Sequence, residues 1–270
     1  PRHPGFRRIS PLCQSTTILM IRIFFATIFC ISFLAPVFAE EELTCFELRI
    51  YHTNEGQLDA LHARFRDHTV ALFEKHGMTN FIYWEPVENE EQILVYLLGY
   101  PDMAARDASW KAFRNDPVWK KAYADSTEGG KLVRKVDSVF LELTDYSPVA
   151  TFPATSAAPT YELRRYTTSE GKLDGLDARF RDHTIGLFKK HGITNLPYFH
   201  LADGQEGSEN TLLYFISAPS IESRNASFKA FGGDPAWEAA RDASEKDGKL
   251  LVKRGVYSQF LKTTDYSPVK

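Results

Sequence analysis

Apolar and polar residues alternate over residues 44–52, and the run is rich in strand formers, which predicts a strand. Asn54 follows as a candidate helix cap. Leu58, Leu61, Phe65, Leu72 and Phe73 then recur at three- and four-residue spacing, the apolar stripe of a helix lying on a core. Gly77 stands where a helix stops, because glycine takes the left-handed conformation there at little cost. Residues 78–87 and 92–100 predict two further strands. Pro101-Asp102 opens a second helical region, which Asp116-Pro117 interrupts and restarts, with Asp as cap and Pro in the first turn. Residues 136–143 predict the last strand. The order β-α-β-β-α-β predicts a ferredoxin-like module: a four-stranded antiparallel sheet with both helices on one face and the first and third strands central.

The same pattern is then written a second time. Residues 47–84 match 162–199 without a gap, with 25 of 38 positions identical. The helix segment Arg64-Phe-Arg-Asp-His68-Thr returns as Arg179-Phe-Arg-Asp-His183-Thr, followed by His76-Gly77 and His191-Gly192. Asn54 has Ser169 as its counterpart cap. Trp110-Lys-Ala-Phe113 corresponds to Phe228-Lys-Ala-Phe231, and Asp116-Pro-Val-Trp119 to Asp234-Pro-Ala-Trp237. Both units close on Thr-Asp-Tyr-Ser-Pro-Val. The chain therefore divides into a first module at 40–149, a linker rich in Pro, Ala, Ser and Thr at 150–159, and a second module at 160–270.

A ferredoxin-like sheet leaves one face bare. On the first strand Phe46, Leu48 and Ile50 share one face and are expected to meet the helices. Glu47, Arg49 and Tyr51 share the other, and Glu162, Arg164 and Tyr166 repeat them. Tyr83 and Tyr198 recur on the second strand and join this face. A bare sheet carrying large aromatics needs a cover, and the economical cover is the other module's sheet. The fold class expected is α+β, with the two sheets packed into a closed α+β barrel within one chain, a pseudo-dimer that leaves further oligomerisation open.

The first 39 residues depart from this pattern. They hold Arg2, Arg7, Arg8 and Arg22 and no acid. From Met20 a basic start leads into a short apolar run and then Val37-Phe38-Ala39, which reads as a secretory signal peptide at 20–39, with residues 1–19 an upstream extension. The expected location is periplasmic or secreted, with no stable membrane span after cleavage. Without the leader the chain carries 28 basic and 35 acidic residues, a formal charge of −7, which argues against nucleic acid as a partner. Cys45 is then the only cysteine, so no internal disulfide forms.

The helix Arg-Phe-Arg-Asp-His-Thr-x-x-Leu-Phe-x-Lys-His-Gly at 64–77 and 179–192, the Thr-Asn after it and the later Asp-Pro-x-Trp resemble the NIPSNAP domain family. The resemblance covers nearly all of the chain after the leader, in two copies. It implies membership of the wider dimeric α+β barrel group and carries little biochemistry with it.

Three functions stay open. In the first, Glu47, Arg49, Tyr51 and Tyr83, with Glu162, Arg164, Tyr166 and Tyr198, line a pocket inside the barrel that binds a small anionic or polar organic molecule. Arginine grips an anion bidentately, and tyrosine stacks or hydrogen-bonds. A buried network fixing the register of the two halves would use the same residues. In the second, the chain is a cofactor-free enzyme of the oxygenase, isomerase or lyase kind. There His68 or His183, each in phase with the apolar stripe, is the acid/base at the helix–sheet seam; a core histidine bonded to its neighbours fits that phase equally. In the third, the polar faces pair with another protein. No metal is expected: His68 and His76 are eight residues apart on one helix, about 12 Å, too far to share an ion. No cysteine–histidine cluster has zinc spacing either. Arg64, Arg66 and Asp67 read as a solvated or inter-module charged face.

Overall fold

The structure is a computed structural model that describes residues 42–152 and 159–269. The leader and the middle of the linker lie outside them. The first module holds β1 (Cys45–Thr53), α1 (Leu58–Arg64), a π-turn (Phe65–Thr69), α2 (Val70–Lys75), β2 (Thr79–Pro86), β3 (Ile93–Tyr100), α3 (Met103–Asn115), α4 (Pro117–Ser126) and β4 (Val133–Leu143). The second repeats it: β5 (Thr160–Thr168), α5 (Leu173–Arg179), a π-turn (Phe180–Thr184), α6 (Ile185–Lys190), β6 (Thr194–Leu201), β7 (Thr211–Ala218), α7 (Ile221–Gly232), α8 (Pro235–Ser244) and β8 (Leu251–Thr263). Asp102 and Asp116 accept the Ala105 and Val118 amides at 2.7 Å, so they cap α3 and α4 as the sequence predicts. The cap expected at Asn54 is absent. Its side chain donates to the Lys131 carbonyl, and α1 starts from Gln57 without a side-chain cap.

The eight strands close into one antiparallel barrel in the order β1-β3-β2-β8-β5-β7-β6-β4. β1 and β3 are central in their half. The halves are sewn by two short ladders, Trp84 to Pro86 on β8 and Leu141 to Leu143 on β6. The repeated terminal hexapeptides cross over to clasp the opposite module. Ser267 accepts the Tyr83 amide and Ser147 the Tyr198 amide. Arg66 pairs with Asp265 and Arg181 with Asp145, each at 2.7 Å, so this charged face is inter-module.

The barrel interior is the reverse of the expected one. Phe46, Leu48, Ile82, Trp84, Val95 and Leu97 from the first half meet Leu163, Leu196, Phe199, Leu213 and Phe215 from the second. Phe46 and Phe199 lie 5.2 Å apart, and Trp84 stacks on Phe215 at 5.0 Å. The face carrying Glu47, Arg49 and Tyr51, and Glu162, Arg164 and Tyr166 in the copy, turns outward to the helices, as do Tyr83 and Tyr198. Alternation gives two faces but does not say which one meets the helices. Inside a closed sheet every backbone group is taken by the ladder, so a charge there finds little to pair with. A helix can supply long side chains such as Arg106 that reach down to a buried carboxylate. A cavity of about 560 Å³ remains within the barrel, walled mainly by Leu48, Ile50, Val139, Leu163, Leu201 and Leu213. None of the eight proposed ligand residues lines it.

Candidate binding site at the helix–sheet seam

Glu47 sits at the centre of the first seam and is fully buried. Arg49, two residues along the same face of β1, pairs with it. Arg106 reaches down from α3 and donates twice, at 3.0 and 2.8 Å. Ser138 donates at 2.5 Å, Tyr100 at 3.2 Å and the Trp110 indole at 3.1 Å. Burial alone would raise the Glu47 carboxyl, but the Arg106 hydrogen bonds and the Arg49 charge outweigh it and hold it at about 2. Arg49 in turn donates to Tyr96 at 3.0 Å and to Tyr51, and lies over the Trp110 ring at 4.3 Å. The second seam keeps the frame: Glu162 binds Arg164, Arg224 and Ser258, and Arg164 donates to Tyr214 and Tyr166 at 2.8 Å each. Its Ala218 and Phe228 replace Tyr100 and Trp110, so Glu162 lacks those two donors.

The sequence brings each Glu-Arg-Tyr triad together correctly, but the two triads occupy separate seams instead of one shared pocket. Tyr83 and Tyr198 are wholly buried and bonded through their hydroxyls to Asn80 and Asn195, at 2.5 and 2.7 Å. They stack on Tyr96 and Tyr214 and line no groove described below. Arg106, Arg224, Ser138 and Ser258 escaped the sequence reading. Their signal was the recurrence of Arg-x-Ala-Ser at 106–109 and 224–227, and of Ser at matching positions of β4 and β8.

His68 and His183 are exposed, and their expected place on the inward stripe is a correction. Each π-turn inserts one extra residue per turn, which rotates the following residues. Thr69 and Thr184 take the inward position instead, and their hydroxyls donate to the Arg64 and Arg179 carbonyls at 3.1 Å. Arg64 and Arg179, three residues after the buried Leu61 and Leu176 and ahead of each π-turn, also face inward, each only 5% exposed, although the sequence reads Arg64 as part of a solvated or inter-module charged face. His76 and His191 contact the Asp116 and Asp234 carboxylates, at 2.8 and 2.7 Å.

Two openings that share walls lie over the first seam. A groove of about 500 Å³ is lined by Arg49, Tyr51, Trp110, Phe113, Arg114, Trp119, Lys120 and Tyr123. A deeper pocket of about 230 Å³ shares Tyr51, Phe113, Trp119 and Tyr123 with it and adds Arg64 at its wall. Between them the linings hold four basic side chains and no carboxylate. Aromatic walls and convergent cations suit a flat organic molecule with negative charge. Among the described residues no group of three or more His, Cys, Asp and Glu is placed to hold a metal ion, and no helix is long and apolar enough to cross a membrane.

The NIPSNAP family model matches residues 46–148 and again 161–268. No curated protein matches the sequence. Among solved structures, an anthrone oxidase-like protein is similar over 83% of this chain and 92% of its own, with a TM-score of 0.54 at 11% identity. A monooxygenase-like protein from Lactobacillus acidophilus NCFM is similar over 85% of this chain and 100% of its own, with a TM-score of 0.50 at 9% identity. A NIPSNAP family protein from Agrobacterium tumefaciens str. C58 covers 39% of this chain and 98% of its own, at 18% identity and a TM-score of 0.36.

Proposed function

The chain belongs to the NIPSNAP family through both of its halves, and from that premise we propose that it binds a small anionic or polar organic molecule, not inside the barrel but in the groove over the first module's seam. One observation carries this: the groove presents Arg49, Arg114 and Lys120 among five aromatic side chains, two of them tyrosines, with no acid in its lining. Arg49 is held rigid by Glu47, Tyr96 and Tyr51, so little conformational entropy is lost when it meets a ligand. The volume falls in the range of small-molecule sites.

An enzymatic role has less support. Both helix histidines point to solvent, and the oxygen chemistry in the neighbours' names comes with 9–11% identity, which carries the fold alone. The leader read in the sequence adds the proposal that binding takes place outside the cytoplasm; fractionation of expressing cells tests that part separately.

The test is calorimetric titration of the full chain with 2-naphthoate and with its neutral amide, 2-naphthamide. Binding of either, weakened tenfold or more by Trp119→Ala, supports the groove. No binding of either, or binding that Trp119→Ala leaves unchanged, overturns it.

A further inference from the structure

The two modules differ in how one buried arginine is paired. Arg179 of the second is buried over the Trp237 ring at 5.2 Å, and its Nη1 donates to Glu245 at 3.2 Å. Arg64 of the first is buried in the same way, over Trp119 at 5.3 Å and Tyr123 at 5.4 Å. The residue matching Glu245, counted from the shared Asp-Pro-x-Trp, is Thr127. Arg64 therefore has no carboxylate within ion-pair distance among the described residues. Its guanidinium donates to the Ser126 hydroxyl at 3.2 Å, as that of Arg179 donates to Ser244 at 3.4 Å, and the buried Nε of both arginines has no partner, so the Glu245 contact is what separates the two. Burial pushes its pKa down, with only tyrosines nearby to oppose that. A guanidinium stays charged even when desolvated, and a buried charge without a counter-ion is costly. The groove rim departs in the same sense: Arg114 and Lys120 stand where the second module has Gly232 and Glu238.

We propose that Arg64 is the charge receptor of the first module's site: the pocket takes one flat aromatic monoanion, its carboxylate on Arg64 and its ring among Tyr51, Phe113, Trp119 and Tyr123, while the second module has closed the equivalent site with its own Glu245. This rests on the groove reading and names its ligand class and its stoichiometry. A carboxylate suits the fork of one guanidinium, which it can meet bidentately. One uncompensated cation balances one negative charge. The ligand supplies in the first module what Glu245 supplies in the second.

The experiment is titration of the full chain by calorimetry with 2-naphthoate and 2-naphthamide, on the wild type, Thr127→Glu and Arg64→Met. The wild type is expected to bind one naphthoate per chain. Thr127→Glu and Arg64→Met should each weaken naphthoate tenfold or more and move naphthamide less than twofold, because only the charge partner changes. Arg64→Met removes a buried unpaired cation, so its melting temperature should not fall, which separates lost binding from lost folding. Naphthoate binding that survives Thr127→Glu and Arg64→Met overturns the assignment of Arg64 while leaving the groove reading intact. Equal loss of acid and amide in both variants overturns it as well, since the pocket would then be blocked and not neutralised. A wild-type stoichiometry of two overturns the asymmetry. No binding of either probe to the wild type sinks the groove reading and this inference with it.

Discussion

The two seams of this protein share one plan and differ in where their charges end. In both, a glutamate on the first strand of the module gathers a strand arginine, a helix arginine and a serine, and a second helix arginine faces inward just ahead of a π-turn. In the second module each of those arginines has a carboxylate of the chain itself: Glu162 for Arg164 and Arg224, and Glu245 for Arg179. In the first module Glu47 is better supplied, with Tyr100 and Trp110 as extra donors, and Arg64 is left with a serine. The duplication thus separates a structural use of the network from a binding use. What both copies keep is needed to bury Glu47 and Glu162. What only the first keeps open, an unpaired cation beside an aromatic groove, is what a ligand can complete.

The sharpest way to break the comparison is to remove its shared part. Glu47→Gln leaves Arg49 and Arg106 close together and largely buried with no carboxylate between them. Loss of one partner from such a network costs about 3–5 kcal/mol. A urea unfolding midpoint should drop accordingly, and Glu162→Gln should drop it too, though by less, since Glu162 lacks two of the donors that Glu47 has. Equal stability of either variant and the wild type would show the network to be incidental.

Acid probes the same groups without mutation. Glu47 is held at about 2 against an ordinary 4.5. Its contribution, about 3 kcal/mol for a shift of that size, is complete above pH 4.5 and lost as pH falls from 4.5 through 2. Against burial, Glu162 is also held below 4.5, chiefly by the Arg224 hydrogen bonds and the Arg164 charge, so the second module too should weaken as pH falls below 4.5. Melting temperature measured from pH 6 to pH 2 checks this. A stability that stays flat down to pH 2 would contradict it.

Smaller changes sharpen the difference between the seams. Glu245→Thr gives the second module the first module's unpaired arginine and should cost at least about 1–3 kcal/mol, the penalty for a buried polar group left without its partner. Thr69→Ala and Thr184→Ala each remove one buried hydroxyl bond inside a π-turn and should cost about 1 kcal/mol apiece. His68→Ala and His183→Ala, at exposed positions, should stay within about 0.5 kcal/mol of the wild type and leave naphthoate binding unchanged. A large effect there would return the helix histidines to the site.

Much of this arrangement was legible before any coordinates. The two repeats, the strand and helix order, the Asp caps at 102 and 116 and the closure of two sheets into one barrel follow from periodicity, turn residues and the bare face that a ferredoxin-like sheet leaves. These are local or additive properties, written residue by residue along the chain. The Glu-Arg-Tyr triads were legible as units too, because three residues alternating along one strand must share a face.

Tertiary structure decided the rest. Which strand face met the helices depended on Arg106 and Arg224, about 60 residues further along the chain, reaching down to a buried carboxylate that the apolar interior of the barrel could not have stabilised. Which of His68 and Thr69 pointed inward depended on one extra residue in a helical turn, a shift that a 3.6-residue periodicity cannot register. Whether an arginine was paired or open depended on what another helix held opposite it, Thr127 or Glu245. Sequence fixes alternation and spacing because neighbours along a chain have fixed geometry. It leaves charge balance to the fold, because a counter-ion is chosen by proximity in space and not by distance along the chain.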